Sequence, residues 1–313
     1  MRRIFVLSFH LSKSQSHLVW NNHLEPVLHV PNHATIEVEI TNASGGQLSP
    51  TSQTEDVRQL DFSRVNPVTG PIYIDDAEPG DTLVVDILAV DVDNWGWTAN
   101  IPGFGLLQDM FPHPHLRISQ ITDQYAELLP GLRIPVQPFI GTIGVALPQD
   151  GDHSLVPPRA QGGNMDIRHL VAGSRLYLPV AVKGALLSLG DTHAAQGDGE
   201  VAGTAIETNA MVTIRVHLEK NFSVTLPQLE TPPHSQRHGH AWVTTGIGPD
   251  LFEAARQATR HMISLICHRT GLSAIDAYLL TSVAADLKIA KIVDVPNWVV
   301  TMHLEKQIID GGI

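Results

Sequence analysis

The chain holds a single cysteine, Cys267, in 313 residues. An intrachain disulfide is therefore excluded, and nothing in the sequence points to an oxidising compartment. Basic residues are scarce as well: 20 Lys and Arg stand against 32 Asp and Glu, a formal net charge of -12. Without a basic patch to meet phosphates, the chain is not expected to bind nucleic acid, and its acidity is ill suited to anionic membranes. No apolar run approaches the roughly 20 residues that span a bilayer. Arg2 and Arg3 precede IFVLSF, a stretch shorter than a signal-peptide core and not followed by a small-residue cleavage site. The expected location is the cytoplasm. Three familiar catalytic devices are also missing: the GxSxG elbow, the GxxxxGKS/T phosphate loop and the HExxH helix.

What the chain does have is histidine, 17 in all. Imidazole is the commonest neutral metal ligand, so spacing must decide which of these residues count. Most of the first 247 residues read as short strands between Pro/Gly turns. In ATIEVEIT (34–41), Ile36, Val38 and Ile40 alternate with glutamates, and in MVTIRVHLE (211–219) Val212, Ile214, Val216 and Leu218 share a side. That is the period of a strand with one buried face. DTLVVDILAVDV (81–92) reads as a longer, more apolar strand. The stretch 95–165 is rich in Gly and Pro (IPGFG, FPHPH, LPG, IPVQP, PPRAQGGN) and is expected to form loops, some of them over a site.

The pattern changes near residue 248. Leu251, Ala255, Ala258, Met262, Leu265 and Ile266 recur at helical spacing, with Asp250 placed as an N-cap and Gly271 as a C-cap. A second helix is expected from Ser273, with Asp276 as capping-box partner, which makes 250–290 a helical pair. A last strand, WVVTMHL (298–304), returns to the core. The fold class that follows is α+β and β-rich: sandwich- or barrel-like β portions over 1–247 and a helix-containing part over 248–313.

The residue types with most chemistry lie in SLGDTHAAQGDGEVAGTAIE (188–207). Asp191 and His193 are two apart, so in an extended segment they point the same way and offer a carboxylate and an imidazole to one cation. Gln196-Gly197-Asp198-Gly199 is a tight turn that returns Glu200 towards the same space. The alternative is a surface hairpin whose polar residues face water. Upstream, GGNMDIRHL (162–170) offers Asp166 as a further oxygen ligand and Asn164 as a donor to a substrate carbonyl, if the two segments are neighbouring strands. His17, near Trp20, is a further candidate ligand or pocket wall. His238 and His240 have strand-like spacing but suit an exposed loop, and Cys267 suits a helix core better than a nucleophile.

GDTHAAQGDGE (190–200), followed by VAGTAIE (201–207), resembles the signature of the acetamidase/formamidase family. NPVTGPIYI (66–74), AEPGDTLVVDIL (77–88), PGFGLL (102–107), GGNMD (162–166), LYLPV (176–180), GALLSLGD (184–191), TTGIGPDLFEAARQA (244–258) and GLSAIDAYLLTSVAADLKI (271–289) resemble the same family in the same order. The similarity runs from about residue 15 to 305, so 1–313 reads as one unit of that fold. It implies hydrolysis of small linear amides to carboxylate and ammonia, a divalent metal (zinc, with calcium as the alternative) and a homo-oligomer, a dimer or higher. The matching motif positions are Asn164, Asp166, Asp191, His193, Gln196 and Glu200. The expected roles are Asp191 and His193 as metal ligands with Asp166 or His17 completing the set, Glu200 as proton carrier, and Asn164 or Gln196 as carboxamide binder. There are departures. Leu18 and Asn21 replace a His and an Asp that the family often shows near His17, and Ala202 stands where some relatives have Cys. Spacing leaves two rivals open: a metal-dependent hydrolase of cyclic amides or lactones, and a non-catalytic metal-binding β-sandwich.

Overall fold

The computed structural model describes residues 8–233 and 239–310. Arg2, Arg3 and His238 lie outside them. Two large sheets, of nine and eleven strands, carry most of the chain, and neither closes into a barrel among the described residues. The alternating segments form strands with the faces that their spacing predicts. Ile36, Val38 and Ile40 are buried in Thr35–Ile40, and Val212, Ile214, Val216 and Leu218 in Ala210–Glu219. The two strands pair antiparallel, Ile36 opposite Ile214.

Thr82–Val92 lacks a clean alternation because its first half, 82–87, is buried on both faces. It lies between Ala210–Glu219 and Arg175–Pro179 in the nine-stranded sheet. Leu83, Val85 and Ile87 point into the shared core with Ile72, Ile140, Ile143, Leu187 and Leu189 of the eleven-stranded sheet. Val84 faces the other way and packs with Tyr177, Trp242 and Met302 beneath the helix Leu251–Thr270. Burying one such aliphatic side chain stabilises by about 1.5–3 kcal/mol, so these layers hold the sheets that carry the site.

The helical pair starts where its caps predict. Asp250 accepts from the Glu253 amide at 2.7 Å, and Gly271 ends the helix in the left-handed conformation at φ 75. Ser273 caps Ala274–Ala284 through the Asp276 amide at 3.2 Å. Two expectations need correction. The second helix stops at Ala284, and Ala285–Lys291 is a strand pairing with Trp298–Glu305 at the edge of the nine-stranded sheet. Ladder hydrogen bonds to a distant partner outweigh local helical preference there. The Gly/Pro-rich middle is likewise less loop-like than expected: Trp95–Asn100, His115–Ile121, Tyr125–Leu129, Leu132–Pro135 and Phe139–Gly144 are all strands, with Pro and Gly confined mostly to the turns between them. Among the described residues no helix is long and apolar enough to cross a membrane.

Candidate active site

The strand Leu187–His193 is buried along its whole length within the eleven-stranded sheet. Phe139–Gly144 flanks it on one side, and Val68–Ile74 and Glu207–Thr208 on the other. Its C-terminal end delivers Asp191 and His193. Gly162–Asn164 pairs with Phe139–Gly144 so that Asn164 stands opposite Thr142. The chain then turns through Asp166, whose amide donates to Gly141 O at 3.1 Å. Glu207 stands directly opposite His193. Glu200 is brought in by a long-range bridge, in which the Gly199 amide donates to Ala290 O at 2.9 Å and the Ile292 amide to Gly199 O at 3.2 Å. That bridge also sets Lys291 and Asp294 beside the motif.

Three of these residues hold backbone conformations that L-amino acids rarely adopt: φ is 45 at Asp166, 55 at Asp191 and 47 at Glu200. Asp191 and His193 therefore do not meet by simple strand alternation, although they do meet: His193 Nε2 lies 3.0 Å from Asp191 Oδ1. It also lies 3.0 Å from Glu207 Oε2, and His193 Nδ1 is 3.8 Å from Asp166 Oδ1. Thr142 Oγ1 bridges Asn164 Oδ1 (2.8 Å) and Asp191 Oδ2 (3.2 Å). Gly141 completes the packing, since a Cβ there would lie 2.4 Å from Asp166 Oδ1 and 2.8 Å from Asp191 Oδ2. Only glycine fits.

Asp166, Asp191, Glu200, Glu207 and Asp294 put five carboxyl groups in this cluster, all buried, against Lys291 and His193. Burial raises the affinity of Glu200 for a proton well above normal, and the neighbouring Asp166 adds to the effect. Glu207 is pushed up to about 7, chiefly by burial, with Asp191 contributing and His193 opposing. Asp294 is pushed up to about 6 for the same first reason. Burial works against a charged His193, but Glu207 and Asp191 outweigh it and raise the imidazole well above its ordinary value. For Asp191 the order is reversed: burial raises it, but His193 and Lys291 hold it below the usual range.

The donor set fits a divalent cation. Ligand atoms of Asp166, Asp191 and His193 lie within 4.8 Å of one another, as do those of His193, Glu200 and Glu207, and those of Asp166, Glu200 and Asp294. Asp166 Oδ1 and His193 Nδ1 are buried without a hydrogen-bond partner. Such orphans are rare and costly, and an imidazole beside carboxylates suits zinc. The five carboxyl groups and Lys291 line a cavity of about 280 Å³ together with Leu60, Trp97, Ile101 and Phe104, while His193 does not reach it. That is at the small end of ligand pockets, which run from about 300 to 1,000 Å³.

A match to a known family decides what this geometry belongs to. The acetamidase/formamidase family profile matches residues 8–151 and 149–311. The chain belongs to the acetamidase/formamidase family. It is 29% identical to the formamidase of Methylophilus methylotrophus, over 96% of this chain and 90% of that protein. It superposes on the acetamidase of Bacillus halodurans with a TM-score of 0.87 at 33% identity, covering 94% of this chain and 96% of that one. The gamma lactamase of Delftia acidovorans superposes with a TM-score of 0.68 at 28% identity, covering 95% and 90%.

Asp166, Asp191, His193 and Glu200 thus converge in this family member, and Asn164 joins the cavity wall. Asn164 does not offer a free amide, however: Nδ2 donates to Asp294 Oδ2 at 2.8 Å and Oδ1 accepts from Thr142. Gln196 Nε2 donates to the Asp166 carbonyl at 3.0 Å, and its side chain faces a neighbouring cleft that shares Glu200. His17 is in none of the three donor groups. Its Nδ1 donates to Val19 O at 2.8 Å and its Nε2 accepts from Ser188 Oγ at 2.8 Å, so neither ring nitrogen is left for a metal. His240 is exposed, and Cys267 is half-buried in its helix. Sequence reasoning missed Glu207, Lys291, Asp294 and Gly141. Glu207 sits in the VAGTAIE string itself. Lys291 and Asp294 carry no local signal, because only the Gly199 bridge connects them to the motif.

Proposed function

We propose that the chain hydrolyses the carbon–nitrogen bond of small linear amides, of the formamide and acetamide type, to carboxylate and ammonia. In this reading Asp166, Asp191 and His193 hold a divalent metal, zinc first and calcium as the alternative. The observation that carries it is a buried imidazole with an unspent ring nitrogen, set among carboxylates of which Asp166, Asp191, Glu200 and Glu207 line a small cavity, in a member of this family. A bound ion of this kind lowers the pKa of a water to about 7 and polarises a carbonyl. The protein's own groups do the rest. Glu200, on the cavity wall, takes a proton onto a carboxylate oxygen and returns it to the departing nitrogen. Glu207 Oε2, 3.0 Å from His193 Nε2, orients the imidazole, as carboxylates behind ligating histidines commonly do. Asn164 and Thr142 position Asp294 and Asp191 rather than gripping substrate. The apolar wall limits the acyl group and keeps bulk water out.

The relative named gamma lactamase favours one second reading, a cyclic amide opened by the same device. A non-catalytic calcium site fits less well, because it would be built from oxygens alone and His193 stands in the donor set. We place the protein in the cytoplasm as a homo-oligomer. Exposed Ile275, Tyr278, Leu279 and Val283 next to the edge strand Ala285–Lys291 support self-association, which light scattering would detect.

The test is ammonia release from formamide and acetamide before and after chelation, with metal content measured on the same samples. The expected result is activity that falls with the metal and returns when zinc is restored. Undiminished ammonia release from fully stripped protein would overturn the metal role. Ring opening frees no ammonia, so a panel read by carboxylate formation separates lactams from linear amides.

A further inference from the structure

Lys291 has no exposed surface, and an ammonium buried to that degree is tolerated only among compensating groups. Its Nζ pairs with Asp166 Oδ2 and Asp294 Oδ2. It lies 3.2 Å from Asn164 O and 3.9 Å from Glu200 Oε2. Asp166, Glu200 and Asp294 are also one of the three groups whose oxygens lie close enough together to hold a metal. The ammonium therefore stands where that group's negative charge converges. The two oxygens of Asp166 have separate duties. Oδ2 meets Lys291, while the unpartnered Oδ1 faces His193 Nδ1 at 3.8 Å.

We propose that Lys291 is a built-in cation that fills the Asp166–Glu200–Asp294 cluster, so that the protein accepts one divalent ion, on the His193 side, and excludes a second. The proposal rests on reading the His193 group as a metal site. A second dication drawn to these carboxylates would meet the ammonium's like charge at close range, and Asp166 Oδ2 and Asp294 Oδ2 are already paired with the amine. With the amine removed, three carboxylates and the Asn164 carbonyl remain, an all-oxygen set of the kind that binds calcium or manganese. Lys291 is then a positioning residue. It fixes Asp166 Oδ2 so that Oδ1 is presented to the ion beside His193.

The experiment uses the full-length chain, stripped of metal and dialysed against zinc and calcium together, with bound metal counted by mass spectrometry. Wild type is expected to retain one zinc and no calcium. Lys291→Met keeps the apolar stem and removes the charge. It is expected to gain about one calcium per chain, held at least tenfold more tightly than by wild type, and to melt higher when calcium is added. Lys291→Arg keeps the charge and is expected to exclude calcium as wild type does. Tight retention of a second ion by wild type would overturn the proposal, as would a folded Lys291→Met that takes up no more calcium than wild type. If Lys291→Met folds only in calcium the proposal stands, and if millimolar calcium fails to restore its fold the proposal falls. Calcium gained by the variant without zinc in either protein would uphold Lys291 as the cation that fills its cluster and refute the His193 metal reading, and with it the one-ion count.

Discussion

Two ionic groups on neighbouring sheets are built on opposite plans. In the nine-stranded sheet, Asp86 stands level with Arg175 on one flanking strand and Arg215 on the other. Arg175 Nε lies 2.6 Å from Oδ1 and Arg215 Nη2 lies 2.8 Å from Oδ2, with both guanidiniums partly in water. One carboxylate meets two cations, and the surplus positive charge is left to water. Where the strand Leu187–His193 of the eleven-stranded sheet meets the edge strand Ala285–Lys291 of the nine-stranded one, Asp166, Asp191, Glu200, Glu207 and Asp294 crowd around Lys291 and His193, all buried. Carboxylates are in excess, three of the residues hold left-handed backbone, and Asp166 Oδ1 and His193 Nδ1 have no hydrogen-bond partner. The first group behaves as a cross-strand clamp. The second buries an excess of acid beside an imidazole, which is what the proposed cation site and proton carrier require.

The comparison can be broken at the proton carrier first. Glu200→Gln is expected to lower turnover by about 10²–10⁴-fold with metal content unchanged, since it removes one general acid–base group. Steady-state ammonia release and metal counting on the same sample check it, and loss of metal would instead make Glu200 a ligand. Next is the glycine that lets the carboxylates close up. Gly141→Ala forces Asp166 and Asp191 apart. It is expected to weaken zinc affinity by about 10–100-fold, the usual cost of disturbing a ligand's support. Competition against a fluorescent chelator would read this, and unchanged affinity would show that the cluster has slack.

The clamp should respond in the opposite way. Asp86→Asn is expected to lower unfolding free energy at neutral pH by about 1–3 kcal/mol while leaving turnover per folded molecule intact. Burial pushes the Asp86 carboxyl up, but hydrogen bonds from Arg175 and Arg215 outweigh it and hold it below the usual carboxylate range. A depressed folded-state pKa gives stability that is complete above the unfolded value, about 3.9, and fades as pH falls through the folded one. Denaturant titrations of wild type and Asp86→Asn should therefore converge in acid. Curves that stay parallel down to low pH would remove the clamp from the account.

The two regions also differ in how much of each the residues announce. Where one face is wet, as in Thr35–Ile40, alternation alone predicts the strand and its inner side. Caps did the same for the helices, because Asp250, Gly271 and Ser273 act within a few residues of themselves. Local spacing extends the second helix through Ala285–Lys291, but the strand there comes from pairing with Trp298–Glu305, which no local pattern encodes. The site divides in the same way. Asp191, His193 and Glu200 stand together in one motif and could be read from it. Glu207 needed the register that sets it opposite His193, and Lys291 and Asp294 needed the Gly199 bridge. His17 looked like a ligand by type and neighbourhood, but what a histidine does depends on which partners its two nitrogens find, here Val19 and Ser188.

The central claim is that His193 and the carboxylates around it converge on one divalent ion. Anomalous diffraction at the zinc edge, on crystals grown with zinc, addresses it without reference to turnover. The account predicts a single strong peak about 2.0–2.2 Å from a ring nitrogen of His193 and from carboxylate oxygens of Asp166 and Asp191. A cluster without a peak, or zinc found only on exposed surface histidines, would contradict it.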